Sequence, residues 1–324
     1  MPPPIKPVFN LNTELLFDAL IIGAGPAGLS AALALSRVKG TSVVFSNNKF
    51  RNAKGHRAHY TLSRDHQPAP EVRRVGREEI ERYGTTKFVE SGIRRARKVE
   101  EEGVFEAEDE HGDKWRGKKI VLATGVTDAF DTGIEGYEEC WGTSIHQCLF
   151  CDGIEMNDHE AGVLGFESPM QDHSVRTILQ MGCPGVTIFG NGKLNPPDDQ
   201  TKTALQEAKE RGAKVDERKI AKLVQLEERN GMEIHFEDGS STRIGFLAHK
   251  PVTHVNGRHI AEGLGVEVVP DGMGGDMFRR SEPFGESNVK GVYVAGDAGV
   301  MIKAFVFAMG HGVSAGVGVA HAIS

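Results

Sequence analysis

The feature that most constrains this chain is the stretch 18–28. A short apolar run, Asp18-Ala19-Leu20-Ile21-Ile22, leads into Gly23-Ala24-Gly25-Pro26-Ala27-Gly28, and an Ala/Leu-rich stretch follows to Arg37. Strand, Gly-x-Gly-x-x-Gly, helix is the phosphate-binding turn of a parallel α/β sheet. Gly23 makes the turn. Gly25 lets the backbone approach a pyrophosphate, and Gly28 lets the helix pack close on the strand. The phosphates then lie on the free N–H groups of the helix N-terminus. A merely tight structural turn is the competing reading. The strand before and the helix after favour a bound dinucleotide.

Three further stretches fit such a site. The second strand, 42–45, ends in Ser46-Asn47-Asn48, where an acidic residue would normally hold the ribose hydroxyls. Amide and hydroxyl groups can bond a ribose without charge, or serve only as turn residues. A polar segment with Arg51, Asn52 and His59 follows, either wrapped on a ligand or a solvated loop. The buried strand 119–125 ends in Ala123-Thr124-Gly125. Near the C-terminus, Gly291-Val-Tyr-Val-Ala-Gly-Asp297 is a strand closed by Gly-Asp, whose carboxylate can hold a ribityl or ribose hydroxyl or simply cap the next helix. That helix starts near Ala304 and Phe305.

Between these parts the pattern gives a helix over 71–83, a strand over 86–92, a solvated strand or hairpin over 94–102, and strands over 104–108 and 114–122. Residues 128–146 are irregular and lead into a second domain. Strands at 162–165 and 185–189 alternate there with helices at 172–181 and 200–211. Stretches 227–238 and 242–248 flank a turn at Asp238-Gly239. The alternation is again Rossmann-like.

The second motif is Cys148-Leu149-Phe150-Cys151-Asp152. Two cysteines two residues apart can close a small disulfide ring and open it with little backbone movement. At a helix start the dipole would stabilise the thiolate. Half of a zinc site is the alternative, but zinc wants four ligands, and Cys140, Cys183 and scattered histidines such as His146 form no second short-spaced pair. No metal is expected.

The formal net charge of -7 over 324 residues leaves no basic field for nucleic acid or an anionic membrane. Four cysteines in such a chain do not make a secreted disulfide scaffold. Residues 1–10 are Pro-rich and lack a signal pattern, so they are expected to be a loose arm. Residues 304–323 are apolar but small and interrupted by His311, Ser314 and His321, which suits a packed terminal helix better than a membrane span. A soluble cytoplasmic protein is expected.

Taken in this order, Gly23 to Gly28, Ala123-Thr124-Gly125, Cys148 to Asp152 and Ala295-Gly296-Asp297 resemble the small thioredoxin-reductase-type flavoproteins over nearly the whole chain. The resemblance implies an α/β fold of two Rossmann-like three-layer domains. FAD would lie in a discontinuous domain, 1–127 and 253–324, and residues 128–252 would carry the redox disulfide. It also implies that Cys151 lies nearest the flavin, that Cys148 exchanges with substrate, that Asp152 is the acid/base carboxylate, and that the protein is a homodimer.

A reductase of this type needs a second glycine-rich turn for NADPH. The expected place reads Gly165-Phe166-Glu167-Ser168-Pro169-Met170, where Phe166, Pro169 and Met170 would crowd a pyrophosphate and Glu167 would repel it. The later Gly190-Asn191-Gly192-Lys193 offers one lysine and no arginine pair. With the hydride donor lost, electrons should run from a small-molecule dithiol through Cys148–Cys151 and FAD to O2, giving peroxide. This pattern, with Arg51-Asn52-Ala53, resembles the FAD-dependent dithiol oxidases of the gliotoxin and holomycin type, and so implies an epidithiodiketopiperazine-like substrate. Such enzymes are expected to have a His after the second cysteine. Here Asp152 stands there, so Asp152 and His146 both remain candidates for the base. An NADPH-dependent thioredoxin reductase and a non-catalytic flavin-binding redox sensor are the alternatives.

Overall fold

The computed structural model describes residues 16–55, 57–227 and 231–324. The expected N-terminal arm and residues 228–230 of the stretch 227–238 lie outside them. The chain divides into two compact units. One comprises 1–53, 61–129 and 252–324; the other comprises 54–60 and 130–251.

The first unit opens with β1 (Leu16–Ile22), α1 (Pro26–Arg37), β2 (Ser42–Phe45), α2 (Ala69–Glu81) and β3 (Thr86–Val89). The hairpin β4 (Ile93–Val99) and β5 (Val104–Asp109) comes next, then β6 (Lys114–Leu122) and β7 (Val126–Asp128). Among the described residues β1 to β6 lie in the order β3-β2-β1-β6-β5-β4, and a strand from the C-terminal segment pairs with β6 as the seventh of this sheet. Alternation along β1 sends its side chains to opposite faces. Leu20 and Ile22 join one buried cluster with Val43, Phe105 and Ile120, whereas Ala19 and Ile21 join another with Ala31, Leu35 and Val121.

The second unit contains α3 (Tyr137–Cys140), β8 (Ile145–His146), β9 (Ala161–Leu164), α4 (Met170–Gln180), β10 (Val186–Phe189), α5 (Asp199–Glu210) and β11 (Lys214–Asp216). Strands β12 (Ile220–Gln225), β13 (Met232–Phe236), β14 (Ser241–Ile244) and β15 (Leu247–Ala248) follow. A parallel sheet runs β11-β10-β9-β15-β8, beside an antiparallel β12-β13-β14 sheet. Strand β12 was not expected from the sequence. Its charged alternation, Ile220-Ala-Lys-Leu-Val-Gln225, buries only Ile220 and Leu223, so its apolar face is thin.

The chain re-enters the first unit with β16 (Thr253–Val255), α6 (Arg258–Leu264), β17 (Val268–Pro270), β18 (Asp276–Phe278), β19 (Val292–Val294) and α7 (Phe305–Ile323). Strand β19 lies parallel to β6. By length and composition alone α7 is apolar enough to cross a membrane. It packs along α1 through glycines: a Cβ on Gly312 would lie 2.1 Å from the Ala27 carbonyl oxygen, and one on Gly316 would lie 2.5 Å from that of Ala31. Small residues are what permit that approach.

Candidate functional site

The glycine turn of the first unit is shaped by backbone contact. Gly23 adopts φ +112°, and a Cβ there would sit 2.2 Å from the Ala123 carbonyl oxygen. A Cβ on Gly28 would sit 1.8 Å from the Gly23 carbonyl oxygen. Gly25 is different: nothing lies within 4 Å of the place its Cβ would take. It caps α1, with Pro26 in the first turn, no side-chain cap and no acidic residue there. The N–H groups of a helix start are thus left to whatever fills the space above Gly25. Next to the turn, Thr124 Oγ1 is buried and lacks a hydrogen-bond partner among the described residues, and Gly125 has φ +67°. Together these features fit a bound dinucleotide. Ala27 is buried against the Gly296 turn, and Ala24 packs on the cluster around Ala19.

Ser46 and Asn47 are engaged locally. Ser46 Oγ donates to Asn48 Oδ1 at 3.0 Å and accepts from the Asn48 N–H, while Asn47 Oδ1 accepts from the Lys49 N–H. Asn52 Oδ1 accepts from Arg73, whose guanidinium lies over the Phe50 ring. Arg51 ties the end of β7 to the turn after β19. Its Nε and Nη2 donate to Asp128 at 2.9 and 2.5 Å, and Nη1 reaches Asp297 at 3.3 Å. Burial pushes the Asp297 carboxyl above its ordinary range, against the pull of Arg51. Burial also opposes the charge on Arg51, but the Asp128 bonds outweigh it and raise its pKa. The carboxylate foreseen for a sugar hydroxyl is therefore already ion-paired. Ala304 caps α7 with extended backbone, and Phe305 begins that helix, half-buried.

In the second unit Cys148 and Cys151 are joined in a disulfide. No α-helix begins at the motif, contrary to the expectation of a dipole-stabilised thiolate. The ring sits on a turn in which the N–H groups of Cys151 and Asp152 both donate to the Cys148 carbonyl at 3.1 Å. Gly153 at φ +119° and one 3₁₀ turn, Ile154–Met156, end the segment. Cys148, Cys151 and Asp152 are half-buried, and Phe150 is exposed. Cys140 and Cys183 are buried, and burial raises both thiols, Cys140 to about 11. They are inert by comparison.

His59 belongs here, and not with the unit that carries the glycine turn. Its Nδ1 hydrogen-bonds the Cys151 carbonyl oxygen and lies 3.8 Å from Asp152, and its Nε2 lies 3.6 Å from Glu155. His146, the other candidate base, is buried in β8 with its ring tilted against Phe246.

The turn between β9 and α4 has the same topological place as the glycine turn of the first unit. Gly165 keeps a positive φ of +71°. Phe166 does not crowd the turn: its ring is fully buried in the core with Val163 and Val175. The helix end is closed by its own segment, the N–H groups of Gln171 and Asp172 donating to the Ser168 and Pro169 carbonyls at 3.3 and 3.2 Å. Gln171 Oε1 accepts from the Ser168 N–H at 2.9 Å and from the Ser168 hydroxyl at 3.0 Å, and Ser168 Oγ accepts from the Met170 N–H at 3.3 Å. Asp172 adds a carboxylate to the first turn, paired with Arg176 and Arg211. Near Gly192, Arg218 is committed to Asp216 and stacks on Phe236.

A glycine turn at one sheet and a Cys-x-x-Cys disulfide on a second Rossmann-like unit are matched by the family model of the pyridine nucleotide-disulphide oxidoreductases over residues 17–312. The chain belongs to that family. It is similar to thioredoxin reductase sirT of Leptosphaeria maculans, 36% identical over 94% of this chain and 93% of that one. It is likewise similar to thioredoxin reductase tcpT of Claviceps purpurea, 37% identical over 90% of each. An oxidoreductase from Agrobacterium tumefaciens superposes with a TM-score of 0.83 at 28% identity, covering 95% of this chain and 99% of that chain. As a member of this family the protein has the two-domain thioredoxin-reductase-type α/β fold, takes FAD as its cofactor, and is an oxidoreductase acting on a thiol or disulfide.

Several residues at these places escape sequence reasoning. Asp128 and Glu155 carry no motif. Gln171 three residues after Ser168 does form a Ser-x-x-Gln pattern, which is a helix-start signal. It was the one available hint that the α4 end satisfies itself.

Proposed function

We propose that this oxidoreductase is a dithiol oxidase that closes a disulfide in a small molecule of epidithiodiketopiperazine type, with O2 as the final acceptor. The observation that carries this reading is the self-satisfied start of α4. A pyridine nucleotide pyrophosphate needs free N–H groups there, and those of Met170, Gln171 and Asp172 are already taken by Ser168 Oγ and by the Ser168 and Pro169 carbonyls.

In this reading a substrate thiol gives its proton to Asp152, and its sulfur attacks Cys148. The Cys148–Cys151 bond breaks, and its electron pair leaves on Cys151. The second substrate thiol attacks the mixed disulfide, the cyclic disulfide departs, and both cysteines are left reduced. Exposed Phe150 beside the pair presents an apolar ring to a small substrate. Gly23 to Gly28 and the neighbouring Thr124 would hold FAD, which supplies two-electron acceptance from the dithiol and reoxidation by O2 with release of peroxide. By family resemblance we assign the protein to the cytoplasm as a homodimer.

The names of its relatives favour a second reading, an NADPH-dependent thioredoxin reductase. Two measurements separate the readings. Anaerobic NADPH should leave the flavin absorbance of the holoprotein unchanged, and a small dithiol in air should consume oxygen and release peroxide. Rapid bleaching by NADPH would establish the reductase; inertness toward both would point to a redox sensor.

A further inference from the structure

We propose that His59 is a positioning residue of the redox pair, holding the Cys151–Asp152 peptide so that the Asp152 carboxylate meets the reacting sulfurs. This rests on thiol–disulfide exchange at Cys148–Cys151 with Asp152 as its acid/base group, which the oxidase and reductase readings share.

The segment that carries His59 lies far from the cysteines in sequence, but it is anchored in their unit at two points. Lys54 Nζ donates to the Glu138 carbonyl at 2.6 Å, and the Lys54 backbone passes so close to Gly142 that a Cβ there would lie 3.1 Å from Lys54 Cβ. Gly142 itself has φ +78°. The second anchor is the imidazole of His59, whose side chain is 11% exposed. Its Nδ1 meets the Cys151 carbonyl oxygen. A carbonyl can only accept, so Nδ1 carries the hydrogen in either protonation state. That bond fixes the peptide between the second cysteine and the acid. Cys151 and Asp152 are also held from behind by the Cys148 carbonyl. The peptide is therefore clamped at both its N–H and its C=O, which leaves Asp152 few orientations.

The imidazole also stands between two carboxylates, 3.8 Å from Asp152 and 3.6 Å from Glu155. Glu155 is turned back onto the same turn, where its other oxygen accepts from the Gly153 N–H at 3.1 Å. Residues 151 to 155 thus close around one ring.

The chemistry explains why this matters. In the exchange a proton moves from the attacking thiol to Asp152 while the cysteine disulfide breaks, and it returns to the departing cysteine thiolate. Atoms and electrons balance within substrate and protein. The carboxylate must reach both sulfurs without reorientation, and small misplacements at such a step are costly.

The test uses the holoprotein and dithiothreitol under anaerobic conditions, following flavin bleaching across a pH series. His59→Ala should slow bleaching by about tenfold or more and displace the pH profile, while FAD content stays at one per chain. His59→Asn, whose amide N–H can replace Nδ1 against the Cys151 carbonyl, should recover most of the rate and the original profile. Wild-type rate and profile in His59→Ala would overturn the proposal. So would a His59→Asn protein as slow as the alanine variant, since that would mean the ring itself transfers the proton. Loss of FAD from His59→Ala would return the residue to cofactor binding. None of these outcomes bears on NADPH, so the oxidase reading stands or falls separately.

Discussion

Two turns in this molecule start from the same plan and end differently. Both follow a buried parallel strand, both contain a glycine of positive φ, and both lead into a helix. At the start of α1 the backbone is bare: Gly25 faces open space, and no side chain caps the helix. At the start of α4 the Met170 N–H is taken by Ser168 Oγ, and those of Gln171 and Asp172 by the Ser168 and Pro169 carbonyls. The comparison teaches that the donors at a helix start can be satisfied from within, with no bulky side chain in the turn. Phe166 illustrates the point. Its bulk lies in the core and not in the turn.

The comparison can be broken most severely at Gly28. Its missing Cβ would lie 1.8 Å from the Gly23 carbonyl oxygen, so Gly28→Val should cost about 3 kcal/mol and yield a colourless protein. Recovery of yellow protein with an unchanged melting temperature would show that the turn is not held as tightly as described. Next comes the clamp beside that turn. Arg51→Met deprives Asp128 and Asp297 of the guanidinium they share and should lower stability by about 3 kcal/mol in chemical denaturation of the apoprotein.

Gly25→Asp sharpens the contrast, because it puts a carboxylate at the start of α1 with no arginine pair of the kind that holds Asp172 in α4. A side chain has room there, so the fold should survive with little change in melting. FAD affinity, measured by titrating the apoprotein, should fall about tenfold from a loss of roughly 1–2 kcal/mol. An equal fall in fold stability would mean that the space above Gly25 is not free. The smallest effect belongs to the other turn. Ser168→Ala removes one self-made cap and should cost about 1 kcal/mol in thermal unfolding, with no change in flavin content. If that variant gained NADPH binding detectable by calorimetry, self-satisfaction alone would have been the barrier.

The sequence was sufficient for what depends on short-range pattern. The glycine spacing at 23–28, the alternation that buries β1 and β6, and the Cys-x-x-Cys pair are local statements, because backbone sterics and two-residue or three-residue periods set them. They carried the two Rossmann-like units and the expectation of FAD. The middle-domain turn was seen as degraded, yet the reason assigned to Phe166 was wrong, since sequence does not say which way a ring points.

Tertiary structure decided what depends on residues distant in the chain. His59 lies 92 positions from the Cys151 carbonyl it contacts, and Arg51 lies 77 positions from Asp128 and 246 from Asp297. A polar side chain finds its partner only when the packed core has fixed both backbones. Until then, an arginine, an asparagine and a histidine in one polar segment look alike, although here they serve two different units.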